Sequence, residues 1–248
     1  VIDLVIVVPT LNEEKYIGEL LDSIGEQTVL PKELVVVDAF SKDKTKQEVA
    51  KRRKILPQIK FYQIPKFTIA RQRNLGVKKT TATHILFLDA DTVLVDPNTL
   101  ERYYEEVKEK DPGLALAPNF PLSNNWKDKV LFQAANLGTK AGRDIYPGAV
   151  AINLYVRRDV FDTLGAFDDK IKFGEDFELV QRYAKSGVKY TVLQDVKVYT
   201  SVRRLRKEGR IRFVIKMVNS MINVHIYGYR KNPIAKEYEF GKHPPVES

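Results

Sequence analysis

Hydrophobic positions in the N-terminal half fall into short continuous runs separated by amphipathic stretches. Residues 4–8 (LVIVV), 33–38 (ELVVVD), 60–64 (KFYQI) and 84–91 (HILFLDAD) are apolar blocks of strand length. Between them, 12–24 (NEEKYIGELLDSI) and 70–79 (ARQRNLGVKK) carry helical spacing, the first with acidic residues in its opening turn, where the helix dipole favours them. Ser41 reads as the N-cap of a helix following the second strand. Strands that are apolar throughout imply a sheet covered on both faces, and the β-α-β-α order implies mostly parallel pairing. The second half is less regular. It predicts a helix over 99–110, a strand over 113–118, a strand, short helix and glycine turn within 147–169, and a helix over 174–187 closed by glycine.

From residue 203 the pattern changes. The basic stretch RRLRKEGRIR gives way to apolar FVIKMVNSMINVHIYGY (213–229). The latter reads as core, as a dimer contact, or as an element lying in a membrane interface with cationic anchors. Residues 1–205 are therefore expected to form one α/β domain and 206–248 a C-terminal helical, basic and apolar extension.

Composition narrows the partners. With 248 residues the chain can bury roughly 70–75% of its unfolded surface. It has no cysteine, which excludes disulfides and thiolate metal sites. A net charge of +9 and a pI of about 9.4 favour anionic partners. The opening VIDLVIVVPT runs straight into proline without a basic leader and reads as a strand. No run of about 18 apolar residues suggests a membrane-spanning helix. The expected location is cytoplasmic, with a peripheral position at the inner membrane face as the second reading.

In sheets of this kind ligands bind at the carboxyl ends of the strands. Three strands run into PTLNEE, DAFSKDKT and DADT, so polar groups gather there. Asp89 and Asp91 lie two residues apart, and in an extended chain they share a face. Two such charges repel and lose hydration, so a positive partner is expected; the competing reading is that both cap the following turn. Glu175 and Asp176 follow Gly174 at a helix start, where carboxylates are stabilised whether or not they do chemistry.

VVPTLNEE, ELVVVDAFSKDKT, ARQRNLGV, FLDADT, LGAFDD and GEDFEL, in this order over about residues 3–205, resemble family 2 glycosyltransferases of the GT-A fold. The resemblance implies a mostly parallel or mixed Rossmann-like sheet flanked by helices. It implies inverting transfer of a sugar from a UDP, GDP or dTDP sugar to an acceptor hydroxyl or lipid phosphate, with Mg²⁺ or Mn²⁺. Asp91, with Asp89, would hold the metal, and Asp89 and Ala90 would lie near the ribose. Pro9, Thr10, Leu11 and Glu13 would wall the nucleotide, and Asp38 could accept hydrogen bonds from the base or cap the next helix. Arg71 and Arg73 are candidates for diphosphate contact or for an ion pair with the acidic cluster. Arg203 or Arg204 would close over the donor. Asp176 would be the general base, with Glu175 in reserve. Residues 119–148, including Trp126, would line the acceptor pocket.

Two departures stand out. Ala39 and Phe40 separate Asp38 from Ser41 where the family usually has glycine, and the Gln-x-x-Arg-Trp motif of similar processive synthases is absent, which argues for single transfers. A non-catalytic nucleotide-sugar or membrane-surface module is the alternative. A nucleotidyltransferase is disfavoured because the opening loop is not glycine-rich. No nucleic-acid partner is expected.

Overall fold

A computed structural model describes residues 1–65, 68–142 and 152–234. In chain order the first half contains β1 (Ile2–Thr10), α1 (Ile17–Gly25), β2 (Pro31–Asp38), α2 (Thr45–Lys51), β3 (Ile59–Gln63), α3 (Ile69–Lys78), β4 (His84–Leu88), β5 (Thr92–Val93) and α4 (Thr99–Lys110). The second half contains β6 (Leu114–Leu116), β7 (Asn119–Pro121), α5 (Trp126–Gly142), β8 (Asn153–Arg157), α6 (Arg158–Leu164), α7 (Glu175–Lys185), β9 (Tyr190–Val192), β10 (Val198–Thr200), α8 (Arg203–Glu208) and α9 (Arg210–Tyr227).

The main sheet has the order β3-β2-β1-β4-β8-β6-β9. All its pairs are parallel except those of β8, which runs antiparallel to β4 and β6. The mixed sheet expected from the sequence is the one observed. Both faces are buried, which is why the strands read as continuous runs. Leu4, Ile6 and Val8 face one layer with α1 and α4, while Val5 and Val7 face the other with α3 and α7. α3 packs so closely that a Cβ on Gly76 would lie 2.3 Å from Val7 Cγ1.

Several expectations need correction. Ser41 is not a helix cap: α2 starts at Thr45, and the Ser41 hydroxyl is spent on Asp38. α1 starts at Ile17, because residues 12–16 make a loop whose polar groups bond elsewhere. β4 stops at Leu88, so Asp89 and Asp91 do not share the face of a strand. They sit in the turn into β5, held by the Thr92 N–H and hydroxyl donating to the Asp89 carbonyl. A small second sheet, β5-β10-β7, was not legible in the sequence.

Candidate active site

Two loops at the carboxyl ends of β1 and β2 interlock. Asn12, in the left-handed region at φ 57°, donates its N–H to Ser41 Oγ (2.8 Å) and accepts from the Lys42 N–H (2.9 Å). The Glu13 N–H donates to Thr45 Oγ1 (2.8 Å), and Glu14 exchanges bonds with Asp43 and Lys44. With its backbone pinned, Glu13 turns its carboxylate into a cleft between the two halves of the chain. Phe40, exposed and at φ 52°, holds the left-handed turn without being a glycine.

The small sheet delivers the opposite wall. Thr200 pairs with Thr92, and the Ser201 N–H donates to the Asp91 carbonyl at 3.0 Å. Two residues on, Arg203 forks onto Glu13 (2.7 and 2.8 Å), sets Nε 3.0 Å from Asp91 Oδ2, and lies 4.4 Å over the Tyr16 ring. On the other side Arg73, only 2% exposed, donates from Nη2 to Asp89 Oδ1 (2.9 Å) and from Nη1 to Glu175 Oε1 (3.1 Å). The cations that the two aspartates called for are thus supplied in part by two arginines, one for each.

Burial dominates the electrostatics. It pushes Glu13 up to about 7 against the pull of Arg203, and Asp89 up to about 6 against Arg73. It raises Glu175 as well, reinforced by the neighbouring Asp176. Burial alone would lower Arg73 and Arg203, but their carboxylate partners more than offset it and both stay protonated.

Most of the predicted residues converge. Pro9, Leu11, Glu13, Asp89, Ala90, Asp91, Arg203 and Arg204 line one cavity of about 660 Å³. Thr10 and Asp38 lie behind it. Asp38 is fully buried and accepts from Thr10 (3.0 Å), from the Ser41 N–H (2.9 Å) and hydroxyl, and from Gln63 (3.1 Å). Its carboxylate caps the turn rather than the helix, which starts at Thr45. Arg71 sits exposed on the first turn of α3 and is not among the described lining residues. Arg73 takes the ion-pair role of its two. Asp176 is the second residue of α7, half-buried, with Phe177 on the cavity wall. Trp126 stands exposed at the first position of α5, while Leu131, Phe132 and Asn136 of that helix line the cavity. Residues 143–148 of the expected acceptor segment lie outside the described residues.

Sequence reasoning missed Gln72, whose buried amide donates to the Thr10 and Val37 carbonyls and ties together the ends of β1 and β2. It also missed Asn153, which bonds both backbone groups of Ala117. A polar residue inside an apolar block was the available signal in Asn153.

For a divalent ion, the donor set fits only in company. Asp89 and Asp91 each spend one oxygen on an arginine, and Asp89 Oδ2 and Asp91 Oδ1 make no hydrogen bond among the described residues. No group of three or more His, Cys, Asp or Glu among the described residues is arranged to hold a metal. Two hard oxygens suit Mg²⁺ or Mn²⁺ taking its remaining ligands from phosphate and water. Among the described residues, no helix is long and apolar enough to cross a membrane.

Residues 5–165 match the family model for glycosyl transferase family 2. The O-antigen chain rhamnosyltransferase RfbN of Salmonella typhimurium is 27% identical over 204 residues, covering 74% of this chain and 62% of that one. The poly(ribitol-phosphate) beta-N-acetylglucosaminyltransferase TarS of Staphylococcus aureus is 26% identical, covering 80% and 35%. The chain thus spans between about a third and two thirds of the length of these relatives. Among solved structures, S. aureus TarS in complex with UDP-GlcNAc superposes with a TM-score of 0.66 at 22% identity, covering 96% of this chain and 77% of that one. The mannosyltransferase PcManGT from Pyrobaculum calidifontis, in complex with GDP-Man and Mn²⁺, gives 0.66 at 20% identity, covering 94% and 71%. These likenesses identify the sheet and its helices as a GT-A fold. With more than half of its length matched by the family model, the chain belongs to glycosyl transferase family 2.

Proposed function

We propose that the protein transfers a sugar from a nucleoside-diphosphate sugar to an acceptor hydroxyl or phosphate, with inversion at the anomeric carbon and with a divalent cation. The observation that carries this is the convergence of Glu13, Asp89, Asp91, Arg203 and Arg204 on one cavity, with the acidic start of α7 joined to it through Arg73. Structural relatives hold UDP-GlcNAc, or GDP-Man with Mn²⁺, on the same fold.

The nucleotide lies along Pro9 and Leu11, with Asp38 and Thr10 fixing that loop from behind. Asp91, with Asp89, would hold the metal, which when bound would supply positive charge beside the diphosphate. Arg203 and Arg204 stand beside the phosphates. Asp176 accepts the acceptor's proton as its oxygen attacks the face opposite the leaving group. Glu175 is less suited to that task, since it is buried and tied to Arg73. Replacing Asp176 by Asn keeps size and removes basicity. Donor affinity is expected to stay within about threefold while turnover falls by ~10²–10⁴-fold. Wild-type transfer by that variant would sink the assignment of the base.

Attachment to an anionic membrane surface belongs to the same proposal. It is supported by the basic residues 203–212 and by the exposed Ile211, Ile215, Ile222 and Ile226 of α9. Anionic vesicles are expected to bind more tightly than neutral ones, and salt to weaken the attachment. Equal, salt-insensitive binding to both would refute it.

A further inference from the structure

We propose that Tyr229 is a positioning residue for the general base: it braces the first turn of α7 from behind and so sets where the Asp176 carboxylate stands. This rests on the glycosyl-transfer reading and adds a residue to its machinery.

The start of α7 is not held by its own sequence. Gly174 precedes it at φ 79° and offers no side-chain cap. Glu175, Asp176 and Glu178 crowd the first turn, where the dipole favours each of them while they repel one another. Asp176 Oδ1 accepts from the Phe177 N–H at 2.8 Å, so the aim of that carboxylate follows the backbone of this turn. An uncapped turn frays unless something outside it holds it, and fraying would carry the base off its target.

Two contacts supply the hold. On one side Arg73 ties Glu175 to Asp89. On the other comes the chain that leaves α9. Gly228, at φ 75°, ends that helix. A 3₁₀ turn at Tyr229–Lys231 then lays the Tyr229 ring against Gly174, 3.7 Å from where a Cβ would lie. The Tyr229 hydroxyl reaches on to donate to Gln181 Oε1 at 2.9 Å. Gly174 and Gln181 are about two helical turns apart, so Tyr229 runs along one face of α7. Asp176 lies about 140° round the helix from Gln181. The brace therefore bears on the back of the turn whose front carries the base.

Gln181 fixes the register of this contact. It is buried, its amide oxygen accepts from Tyr229, and its Nε2 has no partner among the described residues. A buried amide oxygen left without its donor is costly. The brace is itself anchored. Arg230 Nε donates to Asp168 Oδ2 at 2.6 Å, next to Phe167, whose ring lies 5.4 Å from the Arg73 guanidinium. Asn232, 2% exposed, donates to Ser220 Oγ at 2.8 Å and returns the chain to α9. Neither Tyr229 nor Arg230 is among the described residues lining the cavity, so their loss is expected to change rate rather than nucleotide affinity.

The test is nucleoside diphosphate release from UDP-GlcNAc, GDP-mannose and dTDP-rhamnose, with Mn²⁺ and with water as acceptor. Water attacks the anomeric carbon, the bond to the phosphate oxygen breaks, and Asp176 takes the proton. A reacting group misplaced by about an ångström costs up to ~10²-fold, so Tyr229→Ala is expected to lower kcat at least about tenfold. The donor KM is expected to change less than about threefold, with an unchanged thermal shift by UDP or GDP. Tyr229→Phe keeps the ring on Gly174 and is expected to restore most of the rate. Added to Asp176→Asn, Tyr229→Ala is expected to cost less than about twofold, because the brace then has no base left to aim. Arg230 is exposed, so Arg230→Ala serves where Tyr229→Ala does not fold. Its expected loss of about threefold in kcat likewise vanishes on Asp176→Asn.

Wild-type kcat in a folded Tyr229→Ala overturns the inference and leaves glycosyl transfer standing. A loss that persists undiminished on Asp176→Asn assigns Tyr229 to the fold alone and overturns it too, as does a donor KM that rises in step with the fall in kcat. No release from any of the three donors by the wild-type chain sinks the glycosyl-transfer reading, and the positioning role with it.

Discussion

Replacing Arg73 with Met tests whether charge, rather than packing, holds the acidic centre together. Arg73 is 2% exposed and joins Asp89 at 2.9 Å to Glu175 at 3.1 Å, with its guanidinium 5.4 Å over the Phe167 ring. Met preserves contact with Phe167 and most of the volume, so the substitution removes chiefly the cation. Removing one partner from a buried ion pair costs ~3–5 kcal/mol, which applies to the buried Glu175; Asp89, with 35% of its side chain exposed, is screened by solvent and adds less. Protonation caps that cost. Burial already pushes Asp89 up to about 6 and raises Glu175, and loss of the arginine drives both higher. A carboxyl whose folded pKa lies above its unfolded one contributes fully below the unfolded value and loses that contribution as pH rises through the folded value. The deficit of the variant is therefore largest near pH 8. It shrinks on acidification by up to ~1.4 kcal/mol per pH unit for each extra proton the folded variant retains. Urea unfolding is expected to show about 3–5 kcal/mol lost near pH 8 and roughly 1–2 kcal/mol less lost near pH 6. A loss below about 1 kcal/mol near pH 8, or a deficit independent of pH, would falsify the reasoning.

Asp91→Asn removes one of the two oxygen-rich groups proposed for the metal. It is expected to weaken nucleoside-diphosphate binding with Mn²⁺ and to leave metal-free binding nearly unchanged; calorimetry with and without Mn²⁺ decides. Phe40→Gly relieves a left-handed residue, worth ~1–2 kcal/mol, against ~0.5–1 kcal/mol of glycine entropy. A net gain of about 0.5–1 kcal/mol in unfolding free energy follows, and a loss of stability would show that the Phe40 ring contributes more than its exposure suggests.

How far the sequence could be read depended on where each element gets its stability. β1, β2 and β4 announce themselves because both faces are buried: Leu4 and Ile6 pack into one layer and Val5 and Val7 into the other. α7 was legible for a similar reason, since Leu179, Val180 and Tyr183 face the core and Gly187, at φ 79°, ends it. α5 was not, because the stripe it presents is not covered by core and its buried residue is an aspartate. Strands of two or three residues, such as β5 and β10, carry no period to detect. The Arg203–Glu13 pair spans 190 residues and exists only because the small sheet carries Ser201 to Asp91. Ser41 misled because serine bonds a nearby side chain as readily as it caps a helix. Most of the residues named from motif resemblance line one cavity, while Arg71 sits exposed outside it and Thr10 and Asp38 lie behind it. What joins them, Gln72, Arg73 and the second sheet, depends on contacts that no local pattern encodes.

The raised carboxyls and the two aspartate oxygens left over by the arginines belong to one crowded acidic centre. Glu13, Asp89, Asp91 and Glu175 share two guanidiniums in the ion pairs described, Arg73 serving Asp89 and Glu175 and Arg203 serving Glu13 and Asp91, while the neighbouring Asp176 adds its field to Asp89 and Glu175. Each guanidinium in that set serves two carboxylates, and burial makes any shortfall of positive charge there costly. Burial, with the neighbouring carboxylates adding to it, pushes Glu13 up to about 7 and Asp89 up to about 6, so protons meet part of that cost. A diphosphate deepens the shortfall. In the proposed reaction it must therefore arrive with a cation, and the cation finds too few protein oxygens without the phosphates. In that reaction each supplies what the other lacks, so the two are expected to bind with positive coupling and to displace protons as they do. The same arithmetic gives Arg203 its place. Fixed by Glu13 and Asp91 in advance, in the proposed reaction it would stand where the phosphates' charge gathers and would need little rearrangement to meet it.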